Sequence, residues 1–185
     1  MGDDGRQLLE AEFRSLLSEH PVRATRRNRR WWIALITAAI VIVVDQITKS
    51  IALDHLGQSH VHAFGPFGFE LAYNTGSAFS LFQGTTWPLF VLDVAMVGVL
   101  IFFALRASSI LMLVGLGLIM GGAIGNMADR IVRHHDGGVI DFITLSHWPT
   151  FNGADSAITI GAILVVVALL RDSASTKAGE TPEGK

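Results

Sequence analysis

Long apolar runs separated by short polar segments dominate the sequence. Four runs approach the roughly 20 residues that an α-helix needs to cross about 30 Å of hydrocarbon. They cover residues 31–53, 87–105, 109–127 and 154–170. Because a backbone in lipid must satisfy its own hydrogen bonds, each run is predicted to be a helix. Buried core helices of a soluble protein are disfavoured, since four such runs leave too little polar chain to cover them.

The segment between the first two runs has a different pattern. It mixes aromatic residues, glycines and short alternating stretches; FELAY alternates like a strand and FGPFG is typical of a turn. The alternative is an irregular loop whose aromatic residues anchor at the membrane interface. We predict an all-α integral membrane protein with four transmembrane helices and a small extracytoplasmic β element between helices 1 and 2, from about His60 to Phe82.

Composition narrows the class of protein further. Half of the 185 residues are hydrophobic and only 16% are charged, whereas soluble domains carry about a quarter charged residues. This composition excludes general disorder. The absence of cysteine excludes disulfides, thiolate metal sites and a cysteine nucleophile.

Basic residues are distributed unevenly about the predicted helices. Eleven of the fourteen Lys and Arg residues fall before the first run, between the second and third, or after the fourth. The positive-inside rule therefore places both termini in the cytoplasm. We divide the chain into a cytoplasmic extension (1–30), a membrane domain (31–171) and a cytoplasmic tail (172–185). The extension lacks the pattern of a cleavable signal peptide, and the small polar residues of the tail predict disorder.

Ionisable residues inside the predicted helices are costly and usually mark function or a specific pair. Asp45 and Lys49 are four residues apart on one helix face, so they are predicted to pair. Asp93 lies about 9 Å into the second helix at 1.5 Å per residue and needs a partner that the sequence does not identify.

A second polar cluster lies around the end of the third run and the start of the fourth. Asn126 and Asp129 fall on one helix face, where small neighbours allow close packing. Asn152 is a plausible N-cap for the fourth helix, which places Asp155 in the first turn, where the helix dipole favours an ionised carboxylate. Taken alone, Asp155 is explained as a helix-start carboxylate and Asp141 as a surface residue; together they suggest a site.

Five ordered motifs carry a family resemblance. DQITK, NTGSAF, GGAIGNMADR, GGVIDF and FNGADSAITIG, spread over residues 45–161, resemble the motif set of lipoprotein signal peptidase, or signal peptidase II. The resemblance implies a bacterial inner-membrane aspartic peptidase with four spans and an extracytoplasmic active site. Such enzymes cut the signal peptide from a prolipoprotein, before the Cys that carries a diacylglyceryl group.

The resemblance also implies roles for individual residues. Asp141 and Asp155 match the two catalytic aspartates, and Asp129 is a rival for the first of them. Gly153 departs from the family, which usually has a larger apolar residue there. The residues expected to bind substrate or support the site are Asp45, Lys49, Asn74, Gly76, Asn126, Asp129, Arg130, Asn152 and Ala154.

The chemistry of two close carboxylates fits this assignment. Peptide hydrolysis needs one group to deprotonate water and another to protonate the leaving amine. Two adjacent carboxylates share a proton and titrate as a coupled pair, so they can do both. Asp155, at a helix N-terminus, is predicted to be the ionised member. We expect no metal or other cofactor, a monomer, and lipidated prolipoprotein signal peptides and membrane phospholipid as partners, with no nucleic acid.

The sequence also contains residues that three other functions would need. A serine/lysine peptidase would use Lys49 with Ser77, Ser80 or Ser156, since a desolvated lysine can activate a hydroxyl. A metalloenzyme would use the outer-side histidines, although none has ligand spacing on a helix. An ion or proton transporter would use Asp45, Asp93 and Asp129 as a relay. The histidines in question are His55, His60, His62, His134, His135 and His147.

Overall fold

Four α-helices and one small antiparallel sheet make up the computed structural model, which describes residues 29–57, 61–75, 87–133 and 137–179. A short 3₁₀ turn (Arg29–Trp31) precedes the first helix. The helices are α1 (Trp32–Leu56), α2 (Trp87–Ala104), α3 (Ile110–Val132) and α4 (Gly153–Gly179). The strands are β1 (Val61–Phe64), β2 (Phe67–Asn74), β3 (Val139–Leu145) and β4 (Trp148–Phe151).

The helices match the four predicted spans, and α1, α3 and α4 end later than predicted. Among the described residues, α1, α3 and α4 as far as Ser175 are long and apolar enough to cross a membrane, and Phe90–Ala104 of α2 is a shorter apolar helix. Large apolar side chains such as Ile40, Leu92 and Ile163 are more than half exposed. Exposed apolar side chains on each of these helices suit contact with lipid.

Helix α3 is the centre of the bundle and packs against the other three helices. Small residues allow this packing: a Cβ added to Gly117 or Gly121 would lie 2.6–2.7 Å from the backbone oxygen of Ala34 or Ala38 in α1. Gly122 approaches Ala154, at the start of α4, just as closely. The remaining core is formed by apolar side chains of α1, α2 and α3, including Leu100, Leu113, Leu116 and Met120.

The predicted β element is confirmed over residues 61–74, but the sheet is larger than the sequence predicted. Its order is β1-β2-β3-β4, with all neighbours antiparallel. Strands β3 and β4 come from the segment between α3 and α4, for which the sequence predicted functional motifs but no strands. VIDFITL is rich in β-branched and aromatic residues, so the signal for β3 was present. His60 and residues 76–82 lie outside the described residues.

The pairing of β2 with β3 is irregular next to Asp141. Ala72 pairs with Asp141 and Phe69 with Ile143, so two residues of β2 oppose one residue of β3 between these pairs. Such a bulge locally disrupts the hydrogen-bond ladder and is common beside active sites.

The tail prediction was wrong for residues 172–179, because α4 continues to Gly179. The segment after Arg171 contains no proline or glycine before Gly179, so nothing in it interrupts the helical backbone. The hydroxyls of Ser173 and Ser175 donate to the carbonyls of Leu169 and Arg171, four residues earlier. Residues 180–185 of the tail and residues 1–28 of the predicted extension lie outside the described residues.

Candidate active site

The two aspartates predicted to be catalytic are joined through Asn152. Asp141 is the third residue of β3 and Asp155 the third of α4. The Nδ2 of Asn152 donates to Asp141 Oδ1 at 2.7 Å, and its backbone N–H donates to Asp155 Oδ2 at 3.2 Å. One fully buried residue thus hydrogen-bonds both carboxylates.

Asn152 also caps α4, as the sequence predicted. Its Oδ1 accepts from the backbone N–H of Asp155 at 2.9 Å. With the reverse bond to Asp155 Oδ2, this forms the reciprocal arrangement of a capping box. Because Oδ1 faces the helix, the donor end of the Asn152 amide faces Asp141, and it also reaches the carbonyl of Ile140.

Asp141 is only 2% exposed. Burial, and after it the negative charge of Asp155, raise the pKa of its carboxyl from 3.8 to about 6. Hydrogen bonds from Asn74 and Asn152 and the charge of Lys49 oppose this rise in pKa. The electrostatic repulsion between Asp155 and Asp141 indicates that the two carboxylates are close enough to couple.

Asp155 is more accessible than Asp141 and lines an open groove of about 280 Å³. Apolar side chains of β3, β4 and α4, among them Trp148, Phe151 and Ile160, form most of its wall. Trp148 is 66% exposed. An apolar chain approaching the end of the bundle can therefore reach Asp155 along this groove.

Lys49 lies at the centre of the polar cluster and is fully buried. Its ammonium contacts Asp45 Oδ2 at 2.8 Å, Asp129 Oδ2 at 2.7 Å and Asn126 Oδ1 at 2.9 Å. These three acceptors match its three N–H donors. The predicted pairing of Asp45 with Lys49 is confirmed, and Asp129 completes a buried triad.

Asn126 connects this triad to the candidate catalytic pair. Its Oδ1 accepts from Lys49 and from the Nδ2 of Asn152, so its Nδ2 is directed to Asp155 Oδ1 at 2.9 Å. The ammonium cannot accept a hydrogen bond, and it therefore fixes the orientation of the Asn126 amide.

Asp129, the rival carboxylate, is fully buried and surrounded by donors. Its Oδ1 accepts from Gln46 at 3.0 Å and lies 3.4 Å from the Nε of Arg133. Its Oδ2 contacts Lys49 and accepts from the backbone N–H of Ile140 at 3.2 Å. Both oxygens are thus occupied by groups of the protein.

Asp45 and Ala154 connect α1 with the start of α4. The backbone N–H of Ala154 donates to Asp45 Oδ1 at 3.0 Å, and Ala154 is fully buried. A Cβ on Gly153 would lie 3.7 Å from Asp45 Oδ1, an ordinary van der Waals contact, so the glycine at this departure from the family pattern is not required by space.

Arg130 forms an ion pair with Asp93. Its Nη1 donates to Asp93 Oδ2 at 2.6 Å, which identifies the partner of Asp93 that the sequence left open. This ion pair joins α3 to α2.

Of the two remaining site predictions, Asn74 is the last residue of β2, pairs with Val139, and hydrogen-bonds Asp141 through its side chain. Gly76 lies outside the described residues. Sequence reasoning missed Gln46 and Arg133, which both contact Asp129. The spacing of four residues between Asp129 and Arg133 was the available signal for the second of these.

The alternative functions find little geometric basis among the described residues. Lys49 gives all its donors to acceptors, and Ser156 donates to the carbonyl of Asn152; Ser77 and Ser80 lie outside the described residues. Within the described part of the chain, no group of three or more His, Cys, Asp or Glu residues is placed to hold a metal ion. His60, His134 and His135 are outside it.

Each carboxylate of the hypothetical proton relay has a basic partner. Asp45 and Asp129 pair with Lys49, and Asp93 pairs with Arg130.

The fold and the site define a helical multi-pass membrane protein with two coupled carboxylates at one end of its bundle.

Comparison with known proteins identifies the family. A sequence model described as signal peptidase (SPase) II matches residues 37–171. The chain belongs to the signal peptidase II family and is a peptidase of the bacterial membrane.

Similar proteins carry the same name. A lipoprotein signal peptidase of Coxiella burnetii (strain RSA 493 / Nine Mile phase I) is 40% identical over 155 residues, covering 79% of this chain and 94% of that protein. One of Paraburkholderia phymatum is 43% identical over 145 residues, covering 72% and 85%. A solved structure described as a bacterial membrane enzyme superposes with a TM-score of 0.68 at 28% identity, covering 82% and 93% of the two chains.

Proposed function

We propose that this protein is a lipoprotein signal peptidase that works as an aspartic endopeptidase. It removes the signal peptide from diacylglyceryl-modified prolipoproteins by cutting before the lipidated Cys. The observation that carries the catalytic assignment is the coupling of Asp141 to Asp155 through Asn152, with the pKa of Asp141 raised to about 6.

The two carboxylates differ in their surroundings, and this difference divides the work between them. Asp155 is partly accessible and accepts hydrogen bonds from the Nδ2 of Asn126 and from the backbone N–H of Asn152. Asp141 is buried, and its raised pKa favours its protonated form. When the pair holds a single proton, that proton is therefore on Asp141.

This arrangement suits hydrolysis of a peptide bond. Asp155 takes a proton from a water molecule, and the resulting hydroxide adds to the carbonyl carbon of the bond to be cut. Asp141 donates its proton to the nitrogen of the lipidated Cys, which leaves as the new amino terminus. The proton gained by Asp155 and lost by Asp141 must then redistribute before the next turnover.

The location of the pair fits a membrane substrate. Asp155 lines a groove with apolar walls at the end of apolar helices. A signal helix can therefore present its end to Asp155 while the acyl chains of the lipidated Cys stay in the bilayer. We expect this end of the bundle outside the cytoplasm and both termini inside, and the distribution of basic residues supports this orientation. We expect the enzyme to act as a monomer surrounded by phospholipid, without a cofactor.

The test is cleavage of a synthetic lipidated prolipoprotein by purified enzyme. Asp141→Asn and Asp155→Asn are each expected to lose at least about a thousandfold in turnover, because Asn is nearly isosteric but cannot take or share the proton. The double variant should lose little more than either single variant, since residues that act as a unit are not additive. Asp54→Asn, which changes an exposed aspartate of α1, is the matched control.

Two outcomes would contradict the proposal. Substantial turnover by folded Asp141→Asn or Asp155→Asn would remove that residue from the chemistry. Loss of wild-type activity on treatment with EDTA, restored by a metal ion, would replace the aspartic mechanism with a metal-dependent one.

A further inference from the structure

Arg133 connects the end of α3 to α1 at the outer edge of the polar cluster. It follows the last residue of α3, and its backbone N–H donates to the carbonyl of Asp129 at 3.2 Å. Its Nη2 lies 3.2 Å from Gln46 Oε1 and 3.1 Å from Ser50 Oγ, and its Nε lies 3.4 Å from Asp129 Oδ1. One guanidinium therefore contacts both helices.

These contacts fix the orientation of the Gln46 side chain. Guanidinium groups only donate, so the acceptor end of the Gln46 amide must face Arg133. Its donor end, Nε2, then faces Asp129 Oδ1 at 3.0 Å, with Asp45 Oδ2 and the carbonyl of Gly125 each at 3.2 Å. With the amide reversed, its oxygen would face two carboxylates.

Asp129 connects Gln46 and Arg133 to the strand that carries Asp141. Its Oδ2 accepts from the backbone N–H of Ile140 at 3.2 Å, while the carbonyl of Ile140 accepts from Asn152 Nδ2. The residue before Asp141 is therefore held at both its N–H and its C=O. The bulge in the pairing of β2 with β3 lies on the other side of Asp141, where the strand ladder gives less support.

We propose that Arg133 and Gln46 are positioning residues for the reaction, which hold Asp141 in place through Asp129 and the Ile140 amide. The proposal rests on the proposed function, because it assumes that Asp141 takes part in catalysis. Within the described part of the chain, the hydrogen bonds and ion pairs of these two residues go to Asp45, Asp129, Ser50, to backbone carbonyls and to each other, and not to Asp141 or Asp155. Their effect is therefore expected in turnover and not in substrate binding.

Two variants of Arg133 test the proposal with the full-length protein in detergent. Arg133→Met retains the aliphatic stem but removes every donor, so kcat on a lipidated prolipoprotein should fall about tenfold or more while KM changes less than about threefold, since small displacements of catalytic groups are costly. Arg133→Lys still donates and should recover kcat to within about threefold of the wild type. Arg171→Met, at an exposed position of α4, controls for loss of one positive charge.

Gln46→Glu provides a second variant of almost unchanged shape. It keeps an acceptor for Arg133 but replaces the donor to Asp129 with another acceptor, so its kcat should fall at least as far as that of Arg133→Met. Because the two residues act in one chain of contacts, the double variant should lose less than the product of the two single effects. If Arg133→Met does not fold, Gln46→Glu alone still tests the proposal.

Hydrogen exchange of residues 139–142 reads the position of β3 without reference to activity, and so separates this proposal from the proposed function. Exchange of the Ile140 amide should quicken about tenfold in Arg133→Met and Gln46→Glu, but not in Arg133→Lys or Arg171→Met. Unchanged exchange in folded Arg133→Met and Gln46→Glu would overturn the proposal. The proposal would also fail if folded Arg133→Met kept kcat within twofold of the wild type or changed only KM. It would fail as well if Arg133→Lys did not recover kcat. An inactive wild type would instead overturn the proposed function, and exchange would still decide the positioning role.

Discussion

At the scale of single residues, side-chain amides orient the carboxylates of the site. Asn126 and Asn152 each have one acceptor end and one donor end, and in both a neighbour that can only donate occupies the acceptor end. Their donor ends are therefore aimed at Asp155 and Asp141. Aspartate in place of either asparagine would keep the shape but lose the donor.

The raised pKa of Asp141 makes stability depend on pH. Its folded-state pKa of about 6 exceeds the ordinary 3.8, so the folded state holds a proton that the unfolded state releases as pH rises through about 4 to 6. At about 1.4 kcal/mol per pKa unit, ionising Asp141 costs the fold about 3 kcal/mol by pH 7.

Asp141→Asn removes that cost because it cannot ionise. We expect the variant to be about 1–3 kcal/mol more stable than the wild type at pH 7, with the difference disappearing towards pH 4. Thermal unfolding of both proteins in detergent across this pH range measures it. An equal difference in stability at pH 4 and pH 7 would show that the fold does not raise the pKa of Asp141.

Asp129→Asn should behave in the opposite way. Removing one partner of a buried ion pair leaves Lys49 with less compensation, and such changes typically destabilise by about 3–5 kcal/mol. We expect a marked loss of thermal stability and, in the molecules that remain folded, far more residual turnover than in Asp141→Asn. If a stable Asp129→Asn is inactive while Asp141→Asn cleaves substrate, Asp129 is the first catalytic aspartate.

The residue contacts that could be predicted from sequence are those within one helix turn. The pairing of Asp45 with Lys49 and the N-cap at Asn152 follow from spacings of four and three residues. Asp93 and Arg130 are 37 positions apart, so only the packing of α2 on α3 could reveal their contact. Gln46 was missed for the same reason, because its partners in α3 are 79 or more positions away.

At the scale of elements, small residues determine how closely the helices approach. The approach of α3 to the start of α4 occurs at Gly122, where an added Cβ would lie 2.5 Å from the carbonyl oxygen of Ala154. Backbone cannot give way as a flexible side chain can. The glycine therefore helps to place Asp155, which follows Ala154 in the chain.

Gly122→Ala is expected to destabilise the protein by about 1–3 kcal/mol through overpacking and to lower turnover, since it displaces the first turn of α4. Gly98→Ala is the matched control, because a Cβ there meets nothing within 4 Å. Replacing this helical glycine by alanine should leave stability unchanged or raise it by up to about 1 kcal/mol. Thermal unfolding in detergent and cleavage assays compare the two, and equal behaviour would contradict the packing argument.

The elements themselves were predictable to differing degrees. Hydropathy identified all four helices, because a run of apolar residues has few other solutions in lipid. Strands β3 and β4 were missed, since a strand of four to seven residues is stable only with partners, and β3 pairs with β2 from a distant part of the chain. Helix α4 passed the predicted end because small polar residues are compatible with a helix once it has begun.

At the scale of the whole molecule, the site lies at the second half of α1 and the beginning of α4. Asp45 accepts from the backbone of Ala154, so these two regions meet at one end of the bundle. The start of α1, with its preceding arginines, and the end of α4 therefore extend towards the other end. Eleven of the fourteen Lys and Arg residues of the sequence fall before α1, between α2 and α3, or after position 170, so the positive-inside rule predicts that this other end faces the cytoplasm.

This arrangement predicts the membrane topology. A reporter that is active only in the cytoplasm should be active when fused after Lys185, whereas a reporter active only outside should be active when inserted after Gly57, at the end of α1. Reducing the charge bias should weaken this preference: replacing the arginines at positions 23, 26, 27, 29 and 30 with glutamine should produce a mixed population of orientations. Activity of the outside reporter after Lys185 in the unaltered protein would place the carboxylate pair in the cytoplasm, where an exported, lipidated substrate could not reach it.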